Sequence, residues 1–201
     1  GPFAAVCGAD AFGFTVRLYR RHEPSAPDSA QSGELPGGNS VTVGIAQDLD
    51  DLDPHRAATA GIREVQFNIF EGLMKAGPDG SVIPAVASDY VLSEDRKTYT
   101  FTLREGVTFH NGEPVTVEDV VYSLELLVSA FSVVSGISAP DDRHVVVTLS
   151  EPKLEFIYSM AAAIIPEGSG STIGTELIGT GPFKFVSYTP QDNLVMEKYD
   201  G

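Results

Sequence analysis

Residues 98–104 alternate strictly: Tyr99, Phe101 and Leu103 are apolar, while Thr98, Thr100, Thr102 and Arg104 are polar. A two-residue period predicts a strand with one face buried. The charged run 93–97 precedes it as a turn, and Glu105-Gly106 and Asn111-Gly112 break the chain after it. The pattern then changes period. Val117, Val120, Val121, Leu124 and Val128 share one helical face, with Thr116 placed to cap the helix and Asp119 at its third position. Val41, Val43 and Ile45 predict another strand, and Ile62, Val65, Ile69 and Leu73 predict a helix over residues 61–73. Further on, the spacing predicts an extended segment at 131–137, a strand at 144–149 and a short helix at 154–162. A hairpin is predicted from 183–187 and 194–197 around Thr189-Pro190-Gln191-Asp192-Asn193. Strands dominate and the helices are few, which is an α+β pattern and not a regular βαβ alternation.

The first forty residues read differently. Residues 12–19 alternate as a strand would, and 22–40 are rich in Pro, Ser, Gly and Asp, the composition of a linker. At 201 residues and 42% hydrophobic content the chain can build a sizeable core. No apolar run approaches the ~20 residues a membrane span requires. The net charge of −15 leaves no basic stripe to meet phosphate and argues against a nucleic-acid partner. A single cysteine, Cys7, precludes an intrachain disulfide.

No catalytic set stands out. His22, His55, His110 and His144 lack paired metal-ligand spacing. His110 follows a strand in a turn, where packing and local bonding are expected. Asp48, Asp50, Asp51 and Asp53 are oxygen donors, but they lack the glycine and terminal glutamate of a calcium loop and read as a solvated acidic loop. The glycine-containing stretches 168–171 and 179–181 carry no lysine at phosphate-loop spacing. No metal, cofactor or catalytic residue is therefore assigned.

The wording of the signature is more specific than its periodicity. L-R-E-G-V-T-F-H-N-G-E-P-V-T-V-E-D-V-V-Y-S-L, residues 103–124, closely resembles the signature of the peptide/nickel class of extracellular solute-binding proteins (family 5), which serve ABC importers. Leu52-Asp53-Pro54-His55, Ile69-Phe70-Glu71-Gly72-Leu73, Gly80-Ser81-Val82-Ile83-Pro84, Gly179-Thr180-Gly181-Pro182-Phe183 and Met196-Glu197-Lys198-Tyr199 resemble further elements of that family, in the same order.

The resemblance implies the N-terminal lobe of a two-lobed, class II periplasmic-binding-protein-like fold at residues 41–201, cut short with the second lobe absent. Residues 1–40 are a leader or linker unlike the family. It implies a non-enzymatic, extracytoplasmic protein that captures short peptides and hands them to the transmembrane subunits of an ABC permease. A nickel chelate or another small solute is the alternative ligand; a stand-alone interaction module or a hydrolase would be departures from the family. The loop after L-D-P-H is expected to face the ligand cleft, naming His55, Arg56, Ala57, Ala58, Thr59 and Ala60 as ligand-binding candidates. Some nickel-complex binders carry an arginine near residues 159–163, and this chain has Ser-Met-Ala-Ala-Ala there. Many relatives are lipoproteins tethered through a cysteine; Cys7 is either such a tether or an incidental thiol.

Overall fold

The computed structural model describes residues 13–18, 40–45, 51–56, 60–190 and 192–200. These described residues form two four-stranded sheets and a two-stranded ribbon, each sheet backed by its own hydrophobic cluster.

The alternating signature builds one of these sheets. Strands β1 (Gly13–Leu18) and β2 (Ser40–Ile45) come first in the chain, followed by helix α1 (Ala60–Ile69) and the ribbon β3 (Met74–Ala76) with β4 (Val82–Pro84). Then β5 (Ala87–Leu92), β6 (Thr98–Leu103), β7 (Val134–Ser138) and β8 (His144–Leu149) form an antiparallel sheet in the order β5-β6-β8-β7. Tyr99, Phe101 and Leu103 on β6 are buried, as are Val145, Val147 and Leu149 on β8, while their alternate neighbours are half-buried. Phe101 pairs with Val145 and Tyr99 with Val147, so the buried faces coincide.

Helix α2 (Val117–Leu126) covers that face through Val117, Val120 and Leu124. It starts where a capping box forms. Asp119 N–H donates to Thr116 Oγ1 at 3.3 Å, and Thr116 N–H donates to Asp119 Oδ2 at 2.8 Å. The chain can turn back into the helix because Gly106 and Gly112 adopt φ of 76° and 87°, open to glycine at little cost. Val128, expected on the same helical face, falls instead in the 3₁₀ turn Val128–Ala130 and is exposed. The extended stretch expected from residue 131 begins as a strand only at Val134. The helix expected at 154–162 is a 3₁₀ helix, Leu154–Ala161.

The second sheet has the order β2-β1-β10-β9, with β9 (Phe183–Thr189) and β10 (Asn193–Lys198) forming the expected hairpin. Strand β1 lies between β2, to which it is parallel, and β10, to which it is antiparallel. The alternation at residues 12–19 thus produces a strand, and residues 41–45 have it as a partner. Leu194 and Met196 of β10 pack with Ile62, Val65 and Ile69 of α1 and with Ile173 and Leu177, which flank or lie in α3 (Ile173–Glu176).

Helix α1 ends at Ile69, not at Leu73. Gly72 passes so close to the backbone of residues 160–161 that an added Cβ would sit 2.6 Å from the Ala161 carbonyl carbon. Leu73 then enters the cluster beneath α2, whereas Ile62, Val65 and Ile69 belong to the other one.

Candidate functional site

Two loops that are distant in sequence meet at the junction of the two clusters. The first is the L-D-P-H loop. Asp53, buried, accepts the His55 backbone N–H on Oδ1 at 2.9 Å and pairs through Oδ2 with Arg56 Nε at 3.1 Å. Asp51 accepts the Asp53 N–H at 2.9 Å and also pairs with Arg56 Nε, at 3.1 Å. These local bonds fold the loop onto its own carboxylates. The acidic loop is therefore organised around Asp53 and is not simply solvated. Asp48 and Asp50 lie outside the described residues.

The second loop follows the 3₁₀ helix Leu154–Ala161. His55 joins the two: its Nε2 lies 2.9 Å from the Ala163 carbonyl, which can only accept, so Nε2 carries a proton. A cavity of about 520 Å³ opens beside this bond. Pro54 and His55 form one end; Arg63, Gln66, Phe67 and Phe70 line it from α1 and its end. The opposite wall is Leu127, Phe131, Ser159 and residues 161–163.

The cavity is apolar where α1 meets the segment after α2, and polar along Arg63, Gln66 and Ser159. Phe131 is fixed edge-to-face on Phe156, ring centroids 5.9 Å apart. Phe67, in contrast, is 64% exposed. Gln66 is buried and donates from Nε2 to the Leu52 carbonyl at 3.3 Å, fastening α1 to the L-D-P-H loop.

Of the expected ligand-binding residues, His55 lies in the cavity wall. Arg56 is outside it, 69% exposed and held by Asp51 and Asp53. Ala57, Ala58 and Thr59 lie outside the described residues, and Ala60 opens α1. Arg63, Gln66, Phe67 and Phe70 were not singled out from the sequence. Their signal was present as a bulky apolar residue, Phe67, off the stripe of Ile62, Val65 and Ile69.

A second polar knot lies away from the cavity and holds the lobe together. His110 N–H donates to the Gly179 carbonyl at 2.9 Å, Gly179 N–H donates to His110 Nδ1 at 3.3 Å, and Nε2 donates to the Gly181 carbonyl at 2.9 Å. The Tyr199 ring meets His110 edge-to-face, and its hydroxyl donates to the Phe109 carbonyl at 2.6 Å. Burial pushes the His110 imidazole below its usual pKa, although its bond to Gly181 opposes that shift. The bonding is structural, but it is not local as expected for the turn: both partners lie about seventy residues further along the chain. Among the described residues no group of three or more His, Cys, Asp or Glu is placed to hold a metal.

Residues 81–201 match the family model described as bacterial extracellular solute-binding proteins, family 5 Middle. The chain is 32% identical to the dipeptide-binding protein DppE of Bacillus subtilis over 66% of its own length and 31% of that protein. It is 28% identical to the glutathione-binding protein GsiB of Pectobacterium atrosepticum, over 80% of this chain and 34% of that one. A solved structure, the binding protein AgaA of Agrobacterium tumefaciens R10 in complex with agropinic acid, superposes with a TM-score of 0.64 at 32% identity. That match covers 70% of this chain and 32% of AgaA. The chain thus spans about a third of the length of these relatives. The mixed α/β architecture is that of one lobe of a class II periplasmic-binding-protein fold.

Proposed function

We propose, from the premise that this chain belongs to the family 5 bacterial extracellular solute-binding proteins, that it supplies one wall of the cleft in which an ABC importer's binding protein holds its solute. The family works outside the cytoplasmic membrane, and this chain with it. Residues 41–201 form the lobe in this reading; Gly13–Leu18, from the segment unlike the family, adds a strand to its second sheet.

The observation that carries the proposal is the cavity between α1 and residues 159–163. An exposed phenylalanine and small alanines on facing walls suit a ligand that is bound and released, not a chemical step. Short peptides are the first choice of ligand, because relatives that bind a dipeptide and glutathione are among those the chain resembles. The small side chains of alanines 161–163 leave room for an extended peptide to lie along that wall, a mode that tolerates varied side chains. A non-peptide organic acid is the second reading, favoured by the likeness to AgaA with agropinic acid. In either case the loaded protein would dock on the permease's transmembrane subunits.

The test is a titration of the protein with a di- to pentapeptide library, followed through the backbone amide signals of residues 159–163. Saturable shifts confined to the cavity are expected. Shifts elsewhere, or none, would remove this cavity from the binding function.

A further inference from the structure

We infer that Arg63 anchors an anionic group, so that the cavity takes amphipathic acids: an apolar body against Phe67, Phe70 and Phe131, and a carboxylate against the guanidinium. This rests on the proposed cleft and names the class of solute it selects.

The charge pattern carries the inference. The chain has a net charge of −15, with 13 cationic residues against 28 acidic ones. Several of its described cations are held by carboxylates. Arg56 is held by Asp51 and Asp53, Lys75 by Glu71, Arg143 by Glu105 and Lys184 by Glu197. Arg63, like Arg96 and Lys153, is in no ion pair with a described residue; what sets it apart is that it lines the cavity. Its guanidinium has no partner among the described residues, and no aspartate or glutamate is among the described lining residues. The remaining ionisable group there, His55, already spends Nε2–H on the Ala163 carbonyl. A cation at the wall of a cavity whose described lining holds no carboxylate is complementary to an acid from outside. The net negative charge of the protein makes such a local cation the more selective for where an acid can settle.

Helix geometry places the two recognition elements together. Arg63 and Phe67 are four residues apart on α1 and share a face, one turn above the other. The guanidinium fork accepts a carboxylate through two parallel hydrogen bonds, which a neutral amide cannot reproduce. Arg63 is exposed, so water and salt weaken the contact. The expected discrimination is accordingly modest.

The test uses the peptide library twice, once as free C-terminal acids with acetylated amino ends and once as the matching C-terminal amides. The acids should bind about fivefold tighter, the order of an exposed, charge-assisted contact. That preference should fall as salt is raised, vanish in Arg63→Gln and largely persist in Arg63→Lys, with thermal stability unchanged in both variants. Acids and amides that shift the cavity signals with equal affinity would leave the cleft standing and remove the anchor. A preference that survives Arg63→Gln would do the same. If no library member shifts those signals, the cleft and the anchor fall together.

Discussion

Helices α1 and α2 are each ten residues long, and each buries an apolar stripe. They differ in what the rest of the helix does. In α2 a capping box closes the N-terminus, Glu118 and Asp119 favour the dipole, and Asp119 also accepts the Glu167 N–H at 2.8 Å. Its Ser123 accepts the Ile165 N–H at 2.9 Å. Helix α2 is thus tied into the lobe by its polar as well as its apolar residues. In α1 the stripe of Ile62, Val65 and Ile69 is equally buried, but Arg63 and Phe67 face outward beside a cavity. Burial and these polar ties account for most of α2, where only Leu126 at the end is a large exposed apolar side chain. They do not account for α1, where Phe67 stays in water and Arg63 has no carboxylate partner among the described residues. An exposed apolar side chain alone needs no explanation, and Val91 and Val186 are others; it is the place of Phe67 and Arg63 together on one cavity wall that makes them the groups to test for binding.

The comparison is broken most forcefully from the α2 side. Phe101→Ala removes a fully buried ring from the cluster that holds Val120 and Leu124. A loss of about 3–5 kcal/mol is expected in denaturant titration. A loss below about 1 kcal/mol would put Phe101 outside the core and undo the register of β6 under α2.

The next effect belongs to the C-terminal end of α1. Gly181 lies against it: its N–H donates to the Ile69 carbonyl at 2.9 Å, and an added Cβ would sit 2.5 Å from the Asn68 carbonyl oxygen. Both neighbours are backbone, so neither can swing aside. Gly181→Ala should therefore cost about 1–3 kcal/mol, the range for overpacking. It should also disturb the amide signals of α1 before those of α2. Uniform disturbance of both helices would mean that they are not independently held.

Which of these features were legible in the sequence follows from how local they are. The alternation of β6, the Thr116 cap and the β9–β10 hairpin depend on neighbours within a few residues, and each is found where the pattern put it. The end of α1 was not legible. Leu73 continues the helical spacing of Ile62, Val65 and Ile69, yet the chain leaves the helix at Ile69 and sends Leu73 into the other cluster. Periodicity cannot distinguish one core from another. The cavity was legible through His55 and, by resemblance only, through residues 159–163. Its opposite wall lies about a hundred residues further along, and no local pattern joins Phe67 to Ala161. A phenylalanine on a helix reads as core until the structure shows that nothing covers it.

A smaller effect concerns the His110 knot, whose Gly181 also bonds the end of α1. His110 accepts from Gly179 on Nδ1 and donates to Gly181 from Nε2, so it must be neutral with the proton on Nε2. Burial lowers its pKa from the ordinary 6.5. The unfolded chain then takes up a proton at a higher pH than the folded one. The stability from this site is complete above pH 6.5 and is lost progressively as pH falls from there towards the depressed folded value. The slope should not exceed one proton, about 1.4 kcal/mol per pH unit. Denaturant midpoints measured from pH 7.5 to 5 should show this slope, and His110→Asn should flatten it at the cost of overall stability. A flat profile in the parent protein would mean that the imidazole ionises without disrupting its bonds.

The smallest expected change in stability is the one that separates the helices most clearly. Phe67 is 64% exposed, so Phe67→Ser removes little buried area from the folded lobe. Surface replacements of this kind usually shift stability by no more than about 0.5 kcal/mol, and the equivalent exchange at Phe101 costs several times that. Binding should respond in the opposite order. A ligand that covers Phe67 removes its ring from water, and losing that contact should weaken peptide binding by about tenfold at the usual value of buried apolar area. The measurement is paired: denaturant titration and library titration on the same variant. A stability loss above about 1 kcal/mol would mean that Phe67 packs against something within the lobe, and α1 would then be explained by burial just as α2 is. Unchanged stability with unchanged affinity would leave the exposed ring without a ligand and move the solute away from this face of α1.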